Sequence, residues 1–272
     1  MHFDETPPIP ELAAVVQSVW TLEADAREIA GHLEPVLPDG CPELVMQFGD
    51  PFEQLNADGS STVQAPILFA GQLTRQLTLR PSGRAAVLGI RFRPESAAAV
   101  LHMPQRELLG ATLGVDTLDA ALFRPLRAIR DASRSPREAA ILVQTALAAR
   151  LDSAWCDPMT RDAVAAIRRR SGRDSIDALA KRLGITRRRL ERRFDTHVGI
   201  PPKRLARIVR FQHALRLLRR AGAGTITALD SGYADQSHFI REFTDIAGCS
   251  PGAHLVRQAE LCGFFTERRV QV

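Results

Sequence analysis

The stretch TRRRLERRF sets Arg188, Glu191 and Arg192 three and four residues apart, which on a helix is one face. A guanidinium on such a face can pair bidentately with guanine O6 and N7, and a carboxylate can accept from cytosine N4. Farther on, DQSHFIREF carries Gln236, Ser237, His238, Ile240 and Arg241. A carboxamide suits adenine, while hydroxyl and imidazole suit a base edge or a phosphate. Arg168, Arg169, Arg170, Arg187, Arg189, Lys203, Arg204, Arg207 and Arg216 are the candidate phosphate contacts, which position a duplex without specifying its sequence. For each of them a solvated surface charge is an equal alternative. No catalytic set accompanies these residues: GxSxG, the Walker loop and GxGxxG are absent, and no motif pairs two carboxylates. Neither an enzyme activity nor a cofactor is expected.

Two other constellations invite chemistry. His32, Glu34, Asp39, Cys41 and Glu43 fall within twelve residues, but without HxH or HExxH spacing they read as turn polarity rather than as metal ligands. Arg91 and Arg93 share one face of a strand, with Arg84 and Arg75 as neighbours, and could clamp an anionic effector. The competing reading, a sheet face paired to local acids, is preferred. His102 and Met103 read as packing residues. The four cysteines, at 41, 156, 249 and 262, lack CxxC spacing and read as buried or incidental thiols.

Positioning the first set of residues requires helices, and the sequence supplies them twice. Ala180, Gly184, Leu190, Arg192, Phe194, Gly199 and Pro202 recur as Ala228, Gly232, Phe239, Arg241, Phe243, Gly248 and Pro251, at an offset of 48 up to the glycine and 49 after it. A small residue lets two helices approach, and a glycine ends the first where a left-handed conformation is cheap. Thr186 and Asp235 are then N-caps. Leu190 and Phe194, like Phe239 and Phe243, face inward, leaving Arg188, Glu191 and Arg192, or Ser237, Ile240 and Arg241, outward. Between the copies, residues 203–220 form an amphipathic helix of roughly 27 Å at ~1.5 Å per residue. Such a spacer can hold two helices about one turn of B-DNA apart, ~34 Å.

Charge divides the 272 residues in the same place. The net charge of +5 splits into −7 over residues 1–159, +12 over 160–258 and zero over 259–272. Asymmetry of this kind points to a polyanion as partner of the basic half. At 45% hydrophobic and 25% charged, the composition is that of a globular protein. No apolar run reaches the ~18–20 residues of a spanning helix. The acidic, proline-rich start MHFDETPPIPEL does not read as a signal peptide, so a cytoplasmic protein is expected.

The stretches IDALAKRLGITRRRLERRF…GIPPKRLARIVRFQHALRLL and GYADQSHFIREFTDIAGCSP resemble the DNA-binding domain of the AraC/XylS transcription regulators. The resemblance covers about residues 160–255. It implies seven helices, the third and sixth entering adjacent major grooves of double-stranded DNA. Arg188, Glu191 and Arg192 are then the base readers of the first unit, and Gln236, Ser237, His238, Ile240 and Arg241 occupy the reading face of the second. Arg241 ranks below Arg188 and Arg192, because the family often uses the matching arginine structurally. Thr227 replaces the family's isoleucine, and Gly252-Ala253-His254-Leu255 replaces its aromatic-arginine pair, which loosens the second unit.

Residues 1–155 read as an α+β sensor or association domain, 160–257 as an all-α double helix-turn-helix domain, and 258–272 as a tail. Expected strands are Val15–Leu22, Glu43–Phe48, Pro66–Ala70, Leu73–Leu79 and Arg84–Phe92, the last two forming a hairpin through Pro81-Ser82-Gly83. Leu88, Ile90 and Phe92 alternate with Gly89, Arg91 and Arg93, a half-buried pattern. Helices are expected over 95–102, 104–109, 116–131 and 136–151. VLPDGCPELVMQF, GQLTRQLTLRPSGR and GIRFRPE resemble an N-terminal domain of one branch of AraC-like regulators. The resulting expectation is a DNA-binding regulator with no membrane association; a small-molecule effector, RNA polymerase and a second copy of the chain are further partners. Two rivals stay open: a ligand-modifying enzyme fused to a DNA-binding module, and a non-specific architectural protein.

Overall fold

The computed structural model describes residues 1–258 apart from 57, 119, 222–227 and 229. The N-terminal part begins with β1 (His2–Thr6), β2 (Val16–Ala24), the short helix α1 (Ala26–Ile29), β3 (Glu34–Val36), β4 (Glu43–Gln47), β5 (Phe52–Leu55) and β6 (Ser61–Val63). It continues through β7 (Ile67–Ala70), β8 (Leu77–Pro81), β9 (Ala85–Phe92), α2 (Ala98–Leu101) and β10 (Thr112–Gly114) to α3 (Val115–Leu118), α4 (Ala120–Ala132) and α5 (Pro136–Ala148). Among the described residues the strands form two antiparallel sheets, ordered β1-β2-β9-β4-β7-β10 and β3-β8-β5-β6. The α+β character expected of this part is present.

Strand β9 explains the layering. Leu88, Ile90 and Phe92 on one face pack against Leu122, Leu126, Val143 and Leu147 of α4 and α5. Ala85 and Val87 on the other face join Trp20, Phe52 and Leu79 between the two sheets. All eight β9 residues are buried, so the half-buried reading is corrected. Gly89 lies under the Trp20 ring, where any Cβ would collide, and Arg91 is only 4% exposed. The expected hairpin is also corrected. β8 pairs with β3 and β5 in one sheet, while β9 pairs with β2 and β4 in the other. Leu79 and Val87 thereby approach one interior from opposite sides, which neighbouring strands of a single flat ribbon cannot do. The turn between them is held instead by Asp50, which accepts from the Arg84 backbone N–H at 2.7 Å.

The C-terminal part is helical: α6 (Pro158–Arg169), α7 (Ile176–Arg182), α8 (Arg187–His197), α9 (Pro202–Ala221), α10 (Gln236–Ala247) and α11 (Pro251–Gln258). One core gathers residues of α6 to α9 around Leu190, Phe194 and Leu205. A second gathers α9 and α10 around Phe211, Phe239 and Phe243, and it takes in Leu37 from the N-terminal part. Thr227, Cys262 and residues 259–272 lie outside the described residues.

Candidate nucleic-acid interface

Each unit of the repeat builds its outward helix from local rules. Thr186 caps α8 by accepting from the Arg189 N–H at 3.3 Å, and Asp235 caps α10 by accepting from the His238 N–H at 2.7 Å. Gly184 and Gly232, at φ of +69° and +82°, make the turns ahead of these helices, a conformation in which a side chain is strained. Pro202 and Pro251 stand at the first positions of α9 and α11, where a missing N–H costs nothing, so each prolines's role is to start the next helix as well as to end the previous one. Leu190, Phe194, Phe239 and Phe243 are buried, and Phe239 and Phe243 meet edge-on at 5.7 Å. His254, only 4% exposed, puts its ring against Phe243 at 5.6 Å, in the segment expected to loosen the second unit.

On the outer surface Arg188 and Arg192 are exposed, and with Glu191, Asp195 and Pro201 they line a shallow groove of about 460 Å³. Glu191 accepts from Arg187 at 2.9 Å, and Arg187 also reaches Asp177 at 3.5 Å. On α10, Gln236, Ser237, Ile240 and Arg241 are exposed, while His238 is half-buried, 3.7 Å from Glu242 and edge-on to Tyr233. Between the two outward helices runs a cleft of about 760 Å³ whose walls include Arg187, Lys203, Arg207, His238 and Arg241.

Under that cleft lies an ion network. Arg210 reaches both oxygens of Glu242, at 2.8 and 3.0 Å, and its guanidinium also stacks 5.0 Å above the Tyr233 ring. Arg207 bridges Glu242 at 2.8 Å and Asp245 at 2.9 Å. Burial works against the charge on Arg207, but these carboxylates outweigh it and its pKa is raised. Burial pushes the Asp245 carboxyl up, and Arg207, joined by Arg75 and Arg204, more than reverses this, leaving it below the ordinary carboxylate value. The network ties α10 to α9, the helix that joins the two units.

Residues 179–257 match the family model of a helix-turn-helix domain, and residues 4–114 match that of a domain of unknown function (DUF6597). This chain carries an AraC-type helix-turn-helix domain. It is accordingly a DNA-binding transcription regulator. Among solved structures, it is similar to ToxT from Vibrio cholerae in its P21 crystal form, with a TM-score of 0.45 and 11% identity over 94% of this chain and 98% of that one. It is also similar to wild-type ToxT bound to unsaturated fatty acid, from Vibrio cholerae strain SCE256 (TM-score 0.43, 11% identity, 89% and 94% covered). A third similar structure is the AraC-like transcriptional activator CuxR (TM-score 0.24, 15% identity, 81% and 87% covered). No curated protein matches the chain.

Around the AraC-type domain the basic residues fall into two groups. Arg169, Arg189 and Lys203 are exposed. Arg168 donates to Gln17 at 3.2 Å, Arg170 pairs with Asp174, Arg204 with Asp245, and Arg207 with Glu242 and Asp245. Arg216 is half-buried on α9. Sequence reasoning did not single out Glu242, although a signal existed: it falls on the same helical face as Phe239, Phe243 and Ile246, where a carboxylate needs a partner.

In the N-terminal part the four arginines do not converge. Arg91 meets Asp39 and, at 3.5 Å, Glu43; Arg93 donates to the Ala13 carbonyl at 3.1 Å; Arg84 donates to Phe48; and Arg75 pairs with Asp245 of α10. Burial disfavours the Arg91 charge, but Asp39, Cys41 and Glu43 raise its pKa overall. Burial pushes the Cys41 thiol up to about 11, a poor setting for a reactive thiolate. Asp39 also accepts from the Cys41 N–H at 2.8 Å, and no group of potential metal ligands is found among the described residues. His102 closes α2 in a left-handed conformation, with Nε2 2.8 Å from the Arg150 carbonyl. No helix among the described residues is long and apolar enough to cross a membrane.

Proposed function

We propose that the chain acts in the cytoplasm and reads one operator with both helix-turn-helix units. Arg188, Glu191 and Arg192 would contact the first segment, and Gln236, Ser237, His238, Ile240 and Arg241 the second. The observation that carries this reading is the pair of capped helices whose inner faces are sealed and whose outer faces present these side chains. Arg169, Arg189 and Lys203 take the role of phosphate contacts; Arg168, Arg187, Arg204 and Arg207 reach a phosphate only by sharing or leaving the partners they now have. Footprinting tests the reading. Arg188→Ala with Arg192→Ala erases protection over one segment, each lost bidentate contact costing about 1–3 kcal/mol, while salt-sensitive background binding survives. Equal affinity of the unaltered protein for all duplexes would overturn it.

The N-terminal part is proposed to sense an effector in the narrow space between its sheets, a cavity of about 60 Å³ with Trp20, Val45, Phe52, Leu79 and Val87 in its walls. Asp39, Cys41 and Glu43 lie along the same wall, with Arg91 behind them. Asp39 and Glu43 already occupy Arg91, and Arg93 donates to the Ala13 carbonyl, so a small, largely apolar molecule suits this cavity better than the anion first considered for Arg91 and Arg93. Recruitment of RNA polymerase and association of two copies complete the proposed mechanism.

A further inference from the structure

The two reading helices belong to different units, yet the N-terminal part grips each at its C-terminal end. On α8, Asp195 pairs with Arg106 at 3.2 Å, and a Cβ on the following Gly199 would come 2.6 Å from the Gln105 carbonyl. On α10, the Ile246 carbonyl accepts from the Gln76 backbone N–H at 2.8 Å, and Asp245 pairs with Arg75 at 3.1 Å. On α9, which joins the units, the Pro38 carbonyl accepts from Gln212 at 2.7 Å, and Leu37 is buried among Phe211, Ala214 and Leu215.

A single helix between two bodies fixes their separation but resists twist about its own axis poorly; contacts away from that axis fix the twist. The segments 75–76 and 105–106 are such contacts, one on each reading helix, and they add to the one the units make themselves, where Arg173 donates to the Asp230 carbonyl at 2.7 Å. We propose that the N-terminal part sets the spacing and phase of the two DNA segments the chain accepts, with Arg75 and Arg106 as positioning residues. This rests on the two-helix DNA reading above and goes beyond it. One inserted base pair moves the second groove by about 3.4 Å and turns it by roughly 34°. A braced pair of helices must miss that position, whereas an unbraced pair can follow it.

The test uses the full-length protein and duplexes it selects from a randomised library, remade with the spacing between the two protected segments changed by one base pair in either direction. Arg75→Asp and Arg106→Asp set like charges against Asp245, which is half-buried but keeps Arg204 and Arg207 as partners, and against the exposed Asp195, so the fold is expected to hold, with the thermal midpoint as its check. The unaltered protein should lose about tenfold in affinity for each one-base-pair change, a loss that shrinks to about threefold or less in the double variant. Restoring attraction with Asp195→Arg on the Arg106→Asp background should sharpen the spacing profile again. Superimposable profiles for the unaltered protein and the double variant overturn the brace. A discrete footprint that tolerates every spacing in the unaltered protein overturns it too. If no discrete footprint is found at all, the two-helix reading itself fails and takes the brace with it.

Discussion

Glu242 is the hub of the ion network that joins α9 to α10. It is 6% exposed and receives Arg210 at both oxygens and Arg207 at one. Glu242→Ala leaves two partly buried guanidiniums facing each other, and removing one partner of a buried pair costs about 3 kcal/mol or more. Urea denaturation should show the loss, and Glu242→Gln, which keeps the hydrogen-bonding shape, should lose less. An unchanged midpoint for the alanine variant would mean that the network contributes nothing to stability. Asp157 makes a pH prediction at the same scale. Burial pushes its carboxyl up, but the Thr160 hydroxyl and the Arg193 guanidinium hold it below the ordinary value of 3.8. The folded state therefore binds fewer protons at this site than the unfolded one. Its contribution is complete above the ordinary value and is lost as pH falls through the lower, folded one. Asp157→Asn should flatten the stability curve on that acid limb, and an identical limb in both proteins would count against the assignment.

At the scale of elements, the two caps were legible in the sequence because capping is local: a side chain and an N–H three residues on decide it. Asp235→Ala should cost about 1 kcal/mol, and Thr186→Ala a similar amount, read as a fall in thermal midpoint with weaker DNA binding. Asp235→Asn keeps an acceptor and should recover most of the loss; if it does no better than alanine, the cap does not explain the effect. The inward phenylalanines and the glycine turns were legible for the same local reason. Strands were harder to read. β9 has the composition of a half-buried strand, but Arg91 is covered because Asp39 and Glu43, distant in sequence, supply its partners. The expected hairpin failed because turn residues report a change of direction, not which sheet the next strand joins. Short strands such as Glu34–Val36 and Ser61–Val63 give too few residues for any periodicity to show.

At the scale of the whole molecule, the charge boundary near residue 160 and the packing boundary do not coincide. Leu37 lies 174 residues before Phe211 in sequence and yet shares a core with it, a juxtaposition no periodicity announces. A Cβ on Gly40 would come 2.8 Å from the Leu205 side chain, and Gln72 holds the Gly40 carbonyl at 2.8 Å from the N-terminal side. The loop 37–40 is therefore part of both halves. Two halves that merely touched would unfold in two calorimetric steps, as domains with small polar interfaces do. Removing either half here uncovers apolar surface in the other, so one transition is expected, with the calorimetric and van't Hoff enthalpies equal. Leu37→Ala deletes the shared side chain, a change that in a packed core costs about 2–5 kcal/mol. It should lower the midpoint and begin to split the transition, the helical half melting first. Two resolved transitions in the unaltered protein would show the halves to be independent, and the two outward helices would then have to take their relative orientation from α9, the Glu242 network and the bond from Arg173 to the Asp230 carbonyl.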